Sequence, residues 1–408
     1  MTTTNPSPRF FTTDDFESAS RFALGKASQG TMDVGTVYST LARVTDGDAA
    51  SWLTEWKATA DSLRTQALAA KAAGRVQTAS HFFLAASDSY IRAVEFIDGL
   101  DDQSQLLPLF LKHRENWDEF IALSGGRFVP LNVPYEGDSM PGYLLRPDAS
   151  GARRPTVVFT NGSDGSLSGL WAEGIKACLE RGFNVYVFDG PGQQSMLFER
   201  NIPFRYDWEA VLTPVLDTLA TRDEVDETAF LAYGISQGGY WLGRALAFEH
   251  RFVAAVVDGG VVDVSRSWNS NLPQPMLDLL AAGDEATFNR YMSEGPTTPE
   301  QQRTIGFRAR PYGGLANPFE LFTTVAKFRL TPELLAAITT PTLVMDPDDE
   351  QFFPGQPRDF FDGLTAPKEL ARFTREEGAN VHCQPLARTL TGLRMNDFFD
   401  AQLGLAGR

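Results

Sequence analysis

A serine hydroxyl is a weak nucleophile until a base takes its proton, and that base needs a third group to orient it. Ser236 stands where such chemistry is possible. It follows the apolar run Phe230-Leu-Ala-Tyr-Gly-Ile and precedes Gln237-Gly-Gly-Tyr-Trp-Leu, in which Trp241, Leu242, Ala245 and Leu246 recur at helical spacing. This reads as strand, sharp turn and helix with the serine at the apex. Gly234 and Gly238 stand two positions to either side, where bulk would keep the helix from packing back on the strand. The chain has four histidines, so the search for a base is short. His250 ends the helix that starts after Ser236; fourteen residues at ~1.5 Å each put it about 20 Å away. His81 and His113 fall in a helical N-terminal part and read as packed or surface residues. His382, in Glu376-Glu-Gly-Ala-Asn-Val-His-Cys-Gln, lies in a loop after the last strand and is the expected base. The acid is expected in Pro341-Thr-Leu-Val-Met-Asp-Pro-Asp-Asp-Glu, between serine and histidine in chain order. Asp346 reads as the strand end, Asp349 as the acid and Asp348 as its rival, with Glu350 assigned to a solvated acidic turn.

Attack on a carbonyl creates an oxyanion that needs preorganised N–H donors. Gln237, directly after the serine, is expected to give one. Asn161-Gly-Ser-Asp-Gly-Ser, after the Thr156 strand, is expected to give the other, from Ser163 or next from Asp164. Asp164 and Tyr240 are candidate substrate-pocket residues. Phe188-Asp-Gly-Pro-Gly-Gln-Gln reads as a tight turn near the site with no chemical role. No cysteine pair stands at metal-ligand spacing, and neither a phosphate-binding loop nor a dinucleotide fingerprint is present, so no metal and no cofactor are expected.

These loops need a frame to bring them together. From Gly125-Gly126 onward, short apolar runs alternate with helical stretches: Thr156-Val-Val-Phe-Thr, Asn184-Val-Tyr-Val-Phe-Asp, Ala229 to Ile235, Ala254-Ala-Val-Val-Asp, Pro341-Thr-Leu-Val-Met-Asp and Leu370-Ala-Arg-Phe-Thr. Runs of this kind are buried on both faces, which implies a mostly parallel sheet covered by helices, with ligands beyond the carboxyl ends of the strands. Phe128 to Tyr135 and Met140 to Arg146 read as paired strands about a turn at Glu136-Gly137-Asp138. The connection from Asp258 to Pro341, roughly eighty residues, exceeds an ordinary crossover. Residues of about 265–335 are expected to form a helical lid insertion. Residues 1–124 read as a helical domain and 125–408 as the catalytic domain. Ser51 to Arg64 and Ala79 to Val94 carry helical periodicity, with Gly74 as a stop between them. Trp52, Trp56, Phe82, Phe83 and Tyr90 are expected to pack within or between domains.

A net charge of −16 argues against nucleic acid and anionic membrane surfaces as partners. Two cysteines, Cys178 and Cys383, do not make a disulfide framework and fit a reducing compartment. The first ten residues show no basic-then-apolar targeting pattern, and no apolar run reaches membrane-spanning length. The expectation is a cytoplasmic protein with no membrane partner.

The order of strands, the Gly234-Ile-Ser-Gln-Gly turn, the late acid and the final histidine resemble the α/β-hydrolase fold. Asn161-Gly-Ser-Asp-Gly-Ser, Asp189-Gly-Pro-Gly-Gln, Gly234-Ile-Ser-Gln-Gly-Gly, Asp349-Glu-Gln-Phe-Phe-Pro-Gly-Gln and Glu377-Gly-Ala-Asn-Val-His-Cys-Gln narrow the match. Behind a helical N-terminal domain, they look like the 2,6-dihydroxypseudooxynicotine hydrolase family, which includes fungal pigment-pathway hydrolases that shorten polyketides. The resemblance implies cofactor-independent hydrolysis of a carbon–carbon bond beside a ketone in a small-molecule carbonyl substrate. It implies Ser236 as nucleophile, Asp349 as acid and His382 as base, in a homodimer whose N-terminal helices help to cover the site. An ester or lactone hydrolase would use the same three residues. A lyase or cyclase would use His382 as base without acylating Ser236, and a pure binding module would have no need of all three.

Overall fold

The computed structural model describes residues 9–295, 298–314 and 316–405. The N-terminal stretch read for a targeting pattern therefore lies largely outside the described residues. Two compact units divide the chain, Met1–Leu123 and Ser124–Arg408.

The first unit is helical, with long helices at Asp14–Ser28, Val34–Leu41, Ala49–Ala72, Val76–Ala93 and Leu106–Ala122. Asp48 caps the third by accepting the N–H groups of Ala50 and Ser51. Gly74, at φ 71°, lies between the third and fourth, in the left-handed region that ends helices. Trp52, Trp56, Phe83, Tyr90, Phe110 and Trp117 fill the core, whereas Phe82 is only partly covered. Trp52 Nε1 donates to the Arg92 carbonyl at 2.8 Å, so this large buried ring keeps its polar group satisfied.

Among the described residues, the second unit is built on ten strands: β1 Phe128–Pro130, β2 Val133–Tyr135, β3 Asp138–Met140, β4 Gly142–Leu145, β5 Arg154–Thr160, β6 Asn184–Phe188, β7 Val225–Ile235, β8 Phe252–Asp258, β9 Thr342–Pro347 and β10 Lys368–Phe373. Eight form one sheet in the order β1-β4-β6-β5-β7-β8-β9-β10. Pairing is parallel from β6 to β10 and antiparallel where β4 meets β1 and β6. The expected Phe128–Arg146 hairpin is split. β2 and β3 leave the main sheet as a separate ribbon, between Pro130 and Pro141, residues that lack the N–H a continuous ladder requires. Glu136 and Gly137 make its tip at φ 45° and 85°, as a two-residue hairpin turn demands.

The central strands carry little but Val, Ala, Leu, Ile and aromatic residues because both faces are covered; β6 is buried at every position and β8 at all but one. Register sets the height at which each strand ends. Thr160 of β5 pairs with Gly234 of β7, Ile235 with Asp258 of β8, and Pro347 of β9 with Phe373 of β10. The loops after these strands therefore emerge on one edge of the sheet.

Between β8 and β9 the chain forms helices at Ser265–Asn269, Gln274–Ala282, Glu285–Glu294, Pro299–Ala309, Pro318–Val325 and Pro332–Ala337. The expected insertion is thus helical, apart from residues 296, 297 and 315, which lie outside the described residues. Met276, Phe288 and Phe322 give it a small core of its own. Tyr312 and Leu321 instead join the core of the sheet. Among the described residues, no helix is long and apolar enough to cross a membrane.

Candidate active site

The turn after β7 is fixed by sterics. A Cβ on Gly234 would stand 2.5 Å from the Gly238 carbonyl oxygen, and one on Gly238 would stand 2.3 Å from that of Thr160. Neither position accepts a side chain without moving backbone. Ser236 is held at φ 56°, a conformation costly for a residue with a Cβ, while its N–H donates to the Asp258 carbonyl at 2.8 Å. The helix Gly238–Leu246 starts immediately beyond and directs the positive end of its dipole at the serine.

His382 Nε2 lies 2.9 Å from Ser236 Oγ, and its Nδ1 lies 2.8 Å from Glu350 Oε2. The carboxylate at the histidine is therefore that of Glu350, and the expectation of Asp349 is corrected. The reason is local. Asp349 N–H donates to the Asn380 carbonyl at 2.7 Å and Asp349 bridges to Val381, extending the parallel pairing past the sheet. On an extended segment successive side chains point to opposite sides. Asp349 consequently turns outward to Arg375 and Asn380, whose Nε and Nδ2 both donate to its Oδ2 at 2.6 Å. Glu350 turns inward. The rival Asp348 lies in the turn before this bridge, outside the alternation, and accepts from Arg372 Nη2 at 2.6 Å.

Glu350 is built as a buried carboxylate. Its side chain is 4% exposed, and its Oε1 accepts the N–H groups of Phe352 and Phe353 at 2.9 and 3.0 Å. Burial pushes its pKa up, but the charge of His382 and the hydrogen bonds to the carboxylate outweigh this and hold it below the usual glutamate value. For His382 burial disfavours the imidazolium, yet the charge and hydrogen bond of Glu350, helped by Asp258 and Asp164, raise its pKa above 6.5. The rings of Phe352 and Phe353 flank the imidazole at centroid distances of 5.0 and 5.8 Å.

Behind the site lies a buried polar cluster that sequence patterns do not reveal. Asp258 Oδ2 accepts from Tyr233 Oη at 2.7 Å and from Arg388 Nη1 at 3.1 Å, and its Oδ1 accepts from Gln384 Nε2 at 3.0 Å. Arg388 also donates to the Cys383 carbonyl at 2.6 Å. The loop carrying His382 is thereby tied to the residue whose carbonyl holds the Ser236 N–H.

Gly162 abuts the serine: a Cβ there would lie 3.0 Å from Ser236 Cβ and 3.5 Å from its Oγ. The backbone N–H groups of Gln237 and Ser163 donate to no acceptor among the described residues. Gln237 is buried, and its Oε1 accepts from Tyr312 Oη of the insertion at 3.0 Å. Asp164 is exposed, with Oδ1 accepting from Ser163 Oγ at 3.0 Å. Tyr240 lies within the core. It is fully buried on the core side of its helix, against Phe328 at 5.7 Å, and its hydroxyl donates to the Tyr206 carbonyl at 3.0 Å. Two other histidines stand apart: His113 bonds Ser87, and His250 faces Thr339 at 3.3 Å. Among the described residues, no group of three or more His, Cys, Asp or Glu could hold a metal ion.

Comparison with known proteins agrees with this frame. The alpha/beta hydrolase family matches residues 157–389. Hydrolase LUC6 of a Fusarium species is 30% identical over 400 residues, covering 94% of this chain and 95% of its own. The 20-hydroxy-prefusarin hydrolase FUS2 of Gibberella moniliformis is 27% identical over 372 residues, 88% of each chain. The crystal structure of 2,6-dihydroxy-pseudo-oxynicotine hydrolase shares the fold at a TM-score of 0.70 and 18% identity, covering 93% of this chain and 96% of that one. Fold and relatives together make the chain a hydrolase and a member of the alpha/beta hydrolase family.

Proposed function

We propose that this enzyme hydrolyses a carbon–carbon bond beside a ketone, in a small β-dicarbonyl or polyketide-like substrate, through an acyl-enzyme on Ser236. The observation that carries the reading is the continuous line of hydrogen-bond distances from Ser236 Oγ through His382 to Glu350. His382 Nε2 takes the Ser236 proton as Oγ attacks the carbonyl, and Glu350 stabilises the resulting imidazolium without taking the proton itself. The N–H groups of Gln237 and Ser163 are the proposed oxyanion donors, held in place before the charge develops. Collapse of the tetrahedral adduct breaks the carbon–carbon bond, and the imidazolium protonates the departing enolate carbon to give a ketone. Water, deprotonated by His382, then releases the acyl group as a carboxylic acid. One water is consumed, and RCO–CH2–COR′ becomes RCOOH and CH3–COR′.

The motif set shared with the pseudooxynicotine hydrolase family supports the choice of bond. The relative named for 20-hydroxy-prefusarin supports a small natural-product substrate. The reading includes no cofactor, a covering role for the 265–335 insertion, and a cytoplasmic homodimer.

Mass-spectrometric product analysis tests it. Wild type and Ser236→Ala are incubated with aryl β-diketones, polyketide-like 1,3-dicarbonyls, and simple aryl and alkyl esters. Acid and ketone from a dicarbonyl are expected for wild type only, with Ser236→Ala slower by roughly 10⁴-fold or more. Cleavage of esters alone would make the enzyme an esterase on this frame. Conversion without change of mass, or loss of water surviving in Ser236→Ala, would overturn acyl transfer altogether.

A further inference from the structure

The turn after β6 has a feature that its sequence does not announce. Gly190 and Gly192 are needed there because a Cβ would meet Trp208 at 2.6 Å and Phe204 at 2.0 Å. Asp189 closes the turn from one side, its Oδ2 accepting from Ser195 Oγ at 2.6 Å and from Ser195 N–H at 3.2 Å. Gln193, 2% exposed, reaches out of the turn in the other direction. Its Oε1 accepts the Gly190 N–H at 2.9 Å, and its Nε2 donates to the carbonyl oxygens of Asn161 at 2.9 Å and Gly162 at 3.1 Å. Both hydrogens of the amide are thus committed to two successive peptides of the loop after β5. The orientation of the carboxamide is settled by its partners, since a flip would set oxygen against two carbonyls.

The second of these peptides matters most. The Gly162 carbonyl and the Ser163 N–H belong to the same planar trans unit, so the two point in opposite directions. Holding the carbonyl toward Gln193 turns the N–H away from it. A donor hydrogen-bonded to the carbonyl end of a peptide also polarises the N–H at its other end. Gly162 already lies against Ser236, as its virtual Cβ at 3.5 Å from Oγ shows. We infer that Gln193 is a positioning residue for acyl transfer: through the Gly162–Ser163 peptide it aims the Ser163 N–H at the oxyanion that forms when Ser236 attacks. The inference rests on the serine mechanism proposed above. Gln193 itself touches no reacting atom.

Labelling by a fluorophosphonate tests it without a known substrate. Ser236 Oγ bonds to phosphorus, its proton passes to His382, fluoride leaves, and the phosphoryl oxygen takes the oxyanion's place. Gln193→Glu keeps an acceptor for Gly190 but sets a carboxylate against the two carbonyls. Gln193→Met keeps the length and removes both donors. The rate kinact is expected to fall roughly 10- to 100-fold in each, somewhat less than for loss of an oxyanion donor outright. KI should stay within about twofold and the melting transition should be retained. An unchanged kinact, with labelling still dependent on Ser236, overturns the role of Gln193 alone. So does a parallel loss of kinact, KI and thermal stability in both variants, which is the signature of a turn that has merely come apart. Labelling that survives Ser236→Ala overturns the serine mechanism instead.

Discussion

The turn after β7 and the loop after β9 each deliver one side chain to His382, by different means. At the β7 turn the backbone is the constraint: glycine at positions 234 and 238 lets a strand and a helix close to contact around a serine at positive φ. In the β9 loop the glycine, Gly355 at φ 77°, stands beyond the acids and a Cβ on it would meet no neighbour, so it does not mark which acid is used. Asp348, Asp349 and Glu350 are all acids, and which one faces inward depends on a bridge between Asp349 and Val381, formed by loops more than thirty residues apart. A turn built on local clashes writes itself into the sequence as glycines at fixed offsets. A site built on the phase of an extended segment does not, because a shift of one residue exchanges the inside for the outside.

The sharpest way to break this contrast is to exchange the acids. Glu350→Gln keeps the shape and removes the charge that His382 sees, and kcat should fall by about 10³- to 10⁴-fold. The same variant has a pH signature. Glu350 raises the His382 pKa, so the imidazole keeps its proton to a higher pH and cannot act as base below it. The acid limb of the wild-type profile of kcat/KM should therefore lie above 6.5, the ordinary histidine value. In Glu350→Gln the residual activity should persist to lower pH. A limb that stays in place would detach Glu350 from the base.

Next in size is Gly238→Ala. The added methyl meets the Thr160 and Asn161 carbonyl oxygens at 2.3 and 2.7 Å, so the turn or the loop after β5 must move. A displacement approaching ~1 Å costs on the order of 10² in kcat, with a lower melting temperature in the same sample. Activity within threefold of wild type would show the turn to be more tolerant than its geometry implies.

The smallest effect is expected from Asp349→Asn. Its carboxyl is held below the usual carboxylate range by the hydrogen bond from Arg375, but that arginine is largely exposed, and exposed ion pairs contribute little. The value of kcat/KM should change by less than about threefold. A loss comparable to that of Glu350→Gln would return the acid's role to Asp349.

Much of the architecture was legible because burial on both faces leaves an apolar run for nearly every parallel strand, while helix periodicity survives in segments such as Ala49–Ala72 and Val76–Ala93. Two of the three side chains that the structure lines up, Ser236 and His382, could be located from turn sterics and from the shortage of histidines. Glu350 could not: Asp348, Asp349 and Glu350 are all acids, and the one that meets His382 is set by the bridge between Asp349 and Val381 in a distant loop. Tyr240 is a related case. Nearness to Ser236 in sequence says nothing of which face of the helix a residue occupies, and this one faces the core. Gln193 and the Asp258–Arg388 cluster depend on contacts across 31 and 130 residues, for which no local pattern exists.

The hydrogen bond from Tyr312 to Gln237 bears on how such enzymes diversify. An insertion with its own small core looks like a cassette that evolution or an engineer could swap to change what the enzyme accepts. Here the cassette also holds the side chain next to the nucleophile. A graft that changes specificity but lacks a hydroxyl at that place would alter turnover along with preference. Modularity in this molecule therefore has a seam, and Tyr312 lies on it.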